Sequence, residues 1–114
     1  MADFLYIFRG GMDPGLSPQQ MQEQMARWGA WVQALTKSGA FKAGDPLEKG
    51  GRVLKGKKKV VTDGPFAEAK DLVGGYLLVK ARDLDEATEL ARGCPIFESD
   101  AGTVEVRQVQ EMRP

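Results

Sequence analysis

A chain of 114 residues has the length of one domain, and a domain of that size buries roughly two thirds of the surface its unfolded form exposes, enough for a core without disulfides or a structural metal. Its 16 Lys and Arg balance 16 Asp and Glu, which leaves no net field to draw nucleic acid or an anionic membrane. Histidine is absent and Cys94 is the single cysteine, so an intrachain disulfide, and a zinc or haem site built from His and Cys, are excluded.

In chain order, Phe4 to Phe8 is an unbroken apolar run between Asp3 and Arg9, and its length and aromatic content predict a strand buried on both faces. Gly10-Gly11-Met12-Asp13-Pro14-Gly15 breaks the chain. Ser17-Pro18-Gln19-Gln20 reads as a helix start, with Ser17 as cap, Pro18 at the first helical position and Gln20 closing a capping box. Met21, Met25, Trp28, Val32 and Leu35 follow at helical spacing as one core-facing stripe, which Trp31 widens. Gly39 suits the left-handed residue past the helix end.

Ala40 to Gly51 reads as a loop turning at Gly44-Asp45-Pro46. A hairpin is expected next, Arg52-Val53-Leu54 against Val60-Val61-Thr62, turning near Lys55-Gly56-Lys57. Asp63 to Val73 connects to a strand over Gly75 to Ala81, with room for a helical turn over Ala67 to Leu72. Asp83 caps a second helix whose stripe is Leu84, Ala87, Leu90 and Ala91, and Gly93 and Pro95 end it. Thr103 to Val109 is the last strand, with Val104 and Val106 on one face and Glu105 and Arg107 on the other.

Strand–helix–strand repeated on an antiparallel sheet predicts a single α+β domain over residues 1–114 with a ferredoxin-like βαβ-type sheet and both helices on one face. The other face needs a cover. Phe4, Tyr6 and Phe8 alternate with Leu5 and Ile7, and Tyr76 and Leu78 with Leu77 and Val79, so both faces are apolar at the centre. Four strands of about five residues present roughly 300 Å², a size that marks an interface. A homodimer with the sheet faces inside is expected, with Phe4, Tyr6, Phe8, Tyr76 and Leu78 at the contact. No apolar run approaches the ~18 residues of a membrane span, and the start, Met1-Ala2-Asp3-Phe4, lacks the features of a signal peptide. A cytoplasmic protein is therefore expected, with no nucleic-acid or membrane partner. No carboxylate cluster has the loop spacing of a calcium or magnesium site, and no cofactor is expected.

The run Val61-Thr62-Asp63-Gly64-Pro65-Phe66-Ala67-Glu68-Ala69-Lys70-Asp71 resembles the signature of the Asp-Gly-Pro-Phe branch of the YCII-related family. Gly44-Asp45-Pro46-Leu47, Gly74-Gly75-Tyr76, Asp85-Glu86-Ala87, Pro95 and Val104-Glu105-Val106-Arg107 agree, so the resemblance covers nearly the whole chain. It implies a dimeric α+β barrel in a largely uncharacterised family of bacterial proteins, some encoded beside extracytoplasmic-function sigma factors. The His–Asp pair proposed as catalytic in the namesake branch has no counterpart here, because histidine is absent.

The candidate ligand-binding residues are Asp63, Glu68, Lys70, Glu105, Arg107, Tyr6 and Tyr76; no catalytic residue is assigned. Asp63 beside Gly64-Pro65 is ordinary Asx-turn chemistry, and the alternative is a general base or ligand contact. Glu68 and Lys70 share a face only in an extended segment, where they either form a solvated pair or hold a polar ligand. Arg107 either pairs with Glu105 or offers its fork to a carboxylate or phosphate. Lys55, Lys57, Lys58 and Lys59 read as a soluble hairpin tip rather than a nucleic-acid patch, since no aromatics interleave them. Two functional classes stand: a small-molecule binder or metal-free enzyme with a polar pocket beside the Asp63–Lys70 segment, taking a small anionic or polar ligand; or, by the resemblance, a regulatory protein with a sigma-factor-linked partner.

Overall fold

The structure, a computed structural model, describes residues 1–11, 15–64 and 71–112. The elements are β1 Ala2–Arg9, α1 Pro18–Lys37, β2 Phe41–Pro46, β3 Arg52–Lys55, β4 Val60–Asp63, β5 Val73–Ala81, α2 Leu84–Ala91, a 3₁₀ turn Pro95–Glu98 and β6 Thr103–Gln108. Four strands form an antiparallel sheet in the order β2-β5-β1-β6, while β3 and β4 pair only with each other. The fold is α+β, with both helices on one sheet face. Tyr6 shows this directly: its ring stacks on Trp31 of α1, and its hydroxyl donates to the Ala87 carbonyl of α2.

Local chemistry sets the helix ends as the residues dictate. The Gln20 N–H donates to Ser17 Oγ at 3.2 Å and the Ser17 N–H to Gln20 Oε1 at 2.9 Å, a complete capping box. Past the end, Gly39 takes φ +81°, the left-handed conformation that stops α1. Asp83 Oδ1 accepts the Glu86 N–H at 2.8 Å and so caps α2. The Glu86 side chain reaches back one residue further than a capping box requires, to the Arg82 N–H at 3.0 Å.

The core lies between the helices and one set of alternating strand residues: Phe4, Tyr6 and Phe8 from β1, Leu77, Val79 and Ala81 from β5, Trp31 and Leu35 from α1, Ala87 and Ala91 from α2, and Ile96. Val104 and Val106 of β6 pack against it. This corrects the expected dimer contact. Phe4, Tyr6 and Phe8 lie under the helices, on the opposite face from Tyr76 and Leu78, because β1 and β5 are in register with Tyr6 opposite Leu77 and Ile7 opposite Tyr76.

Three further expectations change. The segment after α1 is a strand, β2, rather than a loop turning at Gly44-Asp45-Pro46. Its Gly44 lets the backbones close up: an added Cβ would lie 2.2 Å from Leu77 Cδ2 and 2.7 Å from the Tyr76 carbonyl oxygen. The hairpin stands apart from the main sheet, and β2 takes the fourth place in that sheet. The α1 stripe is anchored by Trp31 and Leu35, whereas Met21 and Met25 are exposed. The first turns of this 20-residue helix instead border Glu98, Ser99 and Asp100 across a shallow depression. Leu84, at the start of α2, is likewise exposed. The expected helical turn over Ala67 to Leu72 falls largely outside the described residues.

Candidate functional site

The sheet face away from the helices carries two rows of directly opposed residues. Across β2, β5, β1 and β6, the first row reads Asp45, Tyr76, Ile7, Glu105, and the second Ala43, Leu78, Leu5, Arg107. Antiparallel registry alone brings these residues together from four distant parts of the chain. Tyr76, Ile7, Leu78 and Leu5 make an apolar centre that is only half-buried. Polar groups rim it. At the β2 edge the Tyr76 hydroxyl donates to Asp45 Oδ2 at 3.3 Å.

The β6 edge holds a charged triad. Arg9 Nη1 donates to Glu105 Oε1 at 2.7 Å, and Arg107 Nη1 donates to Glu105 Oε2 at 3.1 Å. Arg9 reaches this face because it continues the Leu5, Ile7 alternation, while β5 shifts register beside it at Gly74. Two guanidiniums share one carboxylate, so the triad keeps one net positive charge. The hydrogen bond from Arg107, then the one from Arg9, holds the Glu105 carboxyl below the usual carboxylate range. Glu105 is therefore a fixed anion and a poor base. Arg107 stays largely exposed, with 68% of its side chain open to solvent.

A prediction follows from the depressed Glu105 ionisation. A folded-state pKa below the unfolded value favours the folded form above the ordinary carboxylate range, and this contribution is lost as pH falls through the folded value. Thermal melts between about pH 7 and pH 3 are expected to decline less steeply for Glu105→Gln than for the parent. Superimposable pH profiles would show that the triad does not contribute to acid stability.

The other sequence-nominated residues divide. Tyr76, Glu105 and Arg107 meet on the open face. Tyr6 does not join them: it is fully buried, bonded to Ala87, and burial with the nearby Cys94 pushes its phenol up to about 12. Asp63 ends β4 with its side chain 91% exposed, 4.0 Å from Arg52 Nε. Glu68 and Lys70 lie outside the described residues. Arg9 and Asp45 escaped the sequence reading. The period-two extension of β1 was a usable signal for Arg9; Asp45 had none once its segment was read as a loop. Cys94 is buried and its thiol is pushed up to about 12, chiefly by burial, so it is no nucleophile near neutral pH.

On the helix side, Arg27 forms a two-pronged pair with Glu98, both bonds 2.7 Å, tying α1 to the 3₁₀ turn. Shallow depressions flank it: one of about 530 Å³ beside Trp31 and Phe97, and one of about 430 Å³ beside Gln24 and Asp100. The guanidinium is occupied by Glu98, so this feature reads as a clamp on α1. Among the described residues, no three Cys, Asp or Glu side chains converge in a way that could hold a metal ion, and no helix is long and apolar enough to cross a membrane.

Comparison with known proteins adds three findings. The pattern that defines the YCII-related domain matches residues 6–113. An uncharacterized protein of Rhizobium meliloti (strain 1021) is 38% identical over 55 residues, which are 48% of this chain and 44% of that protein; the chain thus matches less than half the length of that relative. Among solved structures, the 5-chloro-2-hydroxyhydroquinone dehydrochlorinase of Burkholderia phenoliruptrix, in complex with 2,5-dihydroxybenzoquinone, superposes with a TM-score of 0.55 at 20% identity, covering 96% of this chain and 95% of that one. At that identity the likeness speaks for the fold.

Proposed function

The chain belongs to the YCII-related family, and we propose that it acts as a homodimer, joined through its open sheet faces, that binds a small planar organic anion beside Arg107. The observation that carries the reading is the uncancelled positive charge of the Arg9–Glu105–Arg107 triad at the border of an apolar platform. An aromatic or quinonoid acid matches both parts, its ring against Leu5 and Ile7 of the neighbouring strand at the β6 border, clear of Leu78 at the dimer contact, and its oxyanion at the Arg107 fork. Asp63, Glu68 and Lys70 are kept as contributors from the segment leading into β5. The fold's occurrence in a protein solved with 2,5-dihydroxybenzoquinone agrees with such a ligand.

Surface area supports the pairing. The chain exposes 8691 Å², whereas a compact monomer of 12.5 kDa exposes about 6,200 Å². It is a plate of 49 × 45 × 19 Å, thick enough for one sheet and one layer of helices. A second copy on the bare face completes the sandwich.

Sedimentation at micromolar concentration is expected to give a dimer, and Leu78→Glu a folded monomer. A parent that sediments as a monomer, or a Leu78→Glu protein that stays dimeric, would remove the sheet-face contact. Thermal shift with 2,5-dihydroxybenzoquinone and simple aromatic carboxylates reads the site. At a hundredfold excess over Kd, binding raises the melting temperature by roughly 10 °C. Arg107→Met is expected to fold, dimerise and lose that shift; a shift equal to the parent's would eliminate the anion site.

A further inference from the structure

The β3–β4 hairpin leaves the body of the protein between β2 and β5 and has no core of its own. All eight strand residues are exposed. Both faces carry apolar groups: Leu54 lies opposite Val61 on one, while Val53 and Val60 share the other. Their exposures run from 39% for Val53 to 64% for Leu54. An isolated two-stranded hairpin is marginal in water, and apolar groups on both sides mark an element made to be covered.

We propose that this hairpin is an arm that docks on a second copy of the chain, adding to the dimer contact inferred above, on which this proposal rests. Two observations select that partner. The first is charge. Arg52, Lys55, Lys57, Lys58 and Lys59 against Asp63 give the arm four net positive charges, and since the whole chain is neutral, the remainder carries four net negative ones. Each copy thus presents a basic arm and an acidic body, which suits reciprocal exchange between copies. The second is area. The excess surface of roughly 2,500 Å² per protomer far exceeds the ~800 Å² per partner of a standard interface, leaving surface for the arm beyond the sheet face.

The test mixes isotopically light and heavy protein and treats it with a carbodiimide, which joins Lys to Asp or Glu at zero length. Mixed light–heavy pairs from the tip lysines to carboxylates of the other copy are expected. Leu54→Ser/Val60→Ser and Lys57→Glu/Lys58→Glu/Lys59→Glu change exposed residues only, so they are expected to fold and to weaken dimerisation at least tenfold. A dimeric parent with same-isotope links alone, and variants that dimerise as it does, would overturn the arm while leaving the sheet-face dimer intact. A monomeric parent would overturn both. Duplex DNA binding that is lost in the lysine variant while dimerisation is unchanged would assign the tip to nucleic acid and overturn the proposal.

Discussion

Replacing Trp31 by alanine is expected to lower stability by about 3–5 kcal/mol, the range for emptying a buried aromatic site. Trp31 is 9% exposed and joins both helices to the sheet. Its ring stacks on Tyr6 at 6.3 Å, meets Phe8 and Trp28 edge-on at 6.3 and 5.8 Å, and its indole N–H donates to the Leu90 carbonyl at 3.1 Å. Alanine removes the packing and leaves that carbonyl without its donor. Against a typical stability of 5–15 kcal/mol, the loss brings the protein near unfolding. Denaturant midpoints measure it, and Trp31→Phe isolates the hydrogen bond by keeping most of the ring contact. A midpoint for Trp31→Ala close to the parent's would mean that the aromatic cluster does not hold the layers together.

The second large effect belongs to Gly10. It sits at φ +68°, and an added Cβ would fall 2.1 Å from the Ala101 carbonyl oxygen and 2.8 Å from its carbon. Both neighbours are backbone and cannot swing aside. Gly10→Ala is expected to cost roughly 3 kcal/mol, combining left-handed strain with displacement of the chain before β6. Gly39 provides the comparison, with φ +81° and nothing within 4 Å of the added methyl. Gly39→Ala carries the conformational cost alone, roughly 1 kcal/mol. Equal losses at the two glycines would show that the approach of Ala101 is not what Gly10 permits.

The contrast between legible and illegible features is physical. Ser17, Gln20, Gly39 and Asp83 announced the helix ends because capping is local chemistry, confined to a few neighbouring residues. The opposite faces of Val104/Val106 and Glu105/Arg107 were legible for the same reason, since alternation belongs to the strand itself. Which apolar set of β1 meets the helices was not legible. Phe4-Tyr6-Phe8 and Leu5-Ile7 are both apolar, and the choice between them rests on Trp31 and Ala87, far away in sequence. The strand Phe41–Pro46 was missed because Gly44, Asp45 and Pro46 carry turn propensity, which pairing with β5 overrides. Of the open-face site, Glu105, Arg107 and Tyr76 were nominated from their strands; Arg9 and Asp45 emerged only once the register was known.

The neck beneath the hairpin has an evolutionary reading. The Leu47 N–H donates to the Gly74 carbonyl at 2.9 Å, so the pairing of β2 with β5 is already closed where the chain departs and returns. The hairpin, from Arg52 to Asp63, is an excursion from a finished sheet. The entropy of closing such an excursion grows only logarithmically with its length, about 0.6 kcal/mol per doubling. Insertions and deletions there leave the strand order, the aromatic cluster and the Arg9–Glu105–Arg107 triad in place. Lineages can therefore lengthen, trim or recompose this stretch, and with it partner choice, at almost no cost to the scaffold.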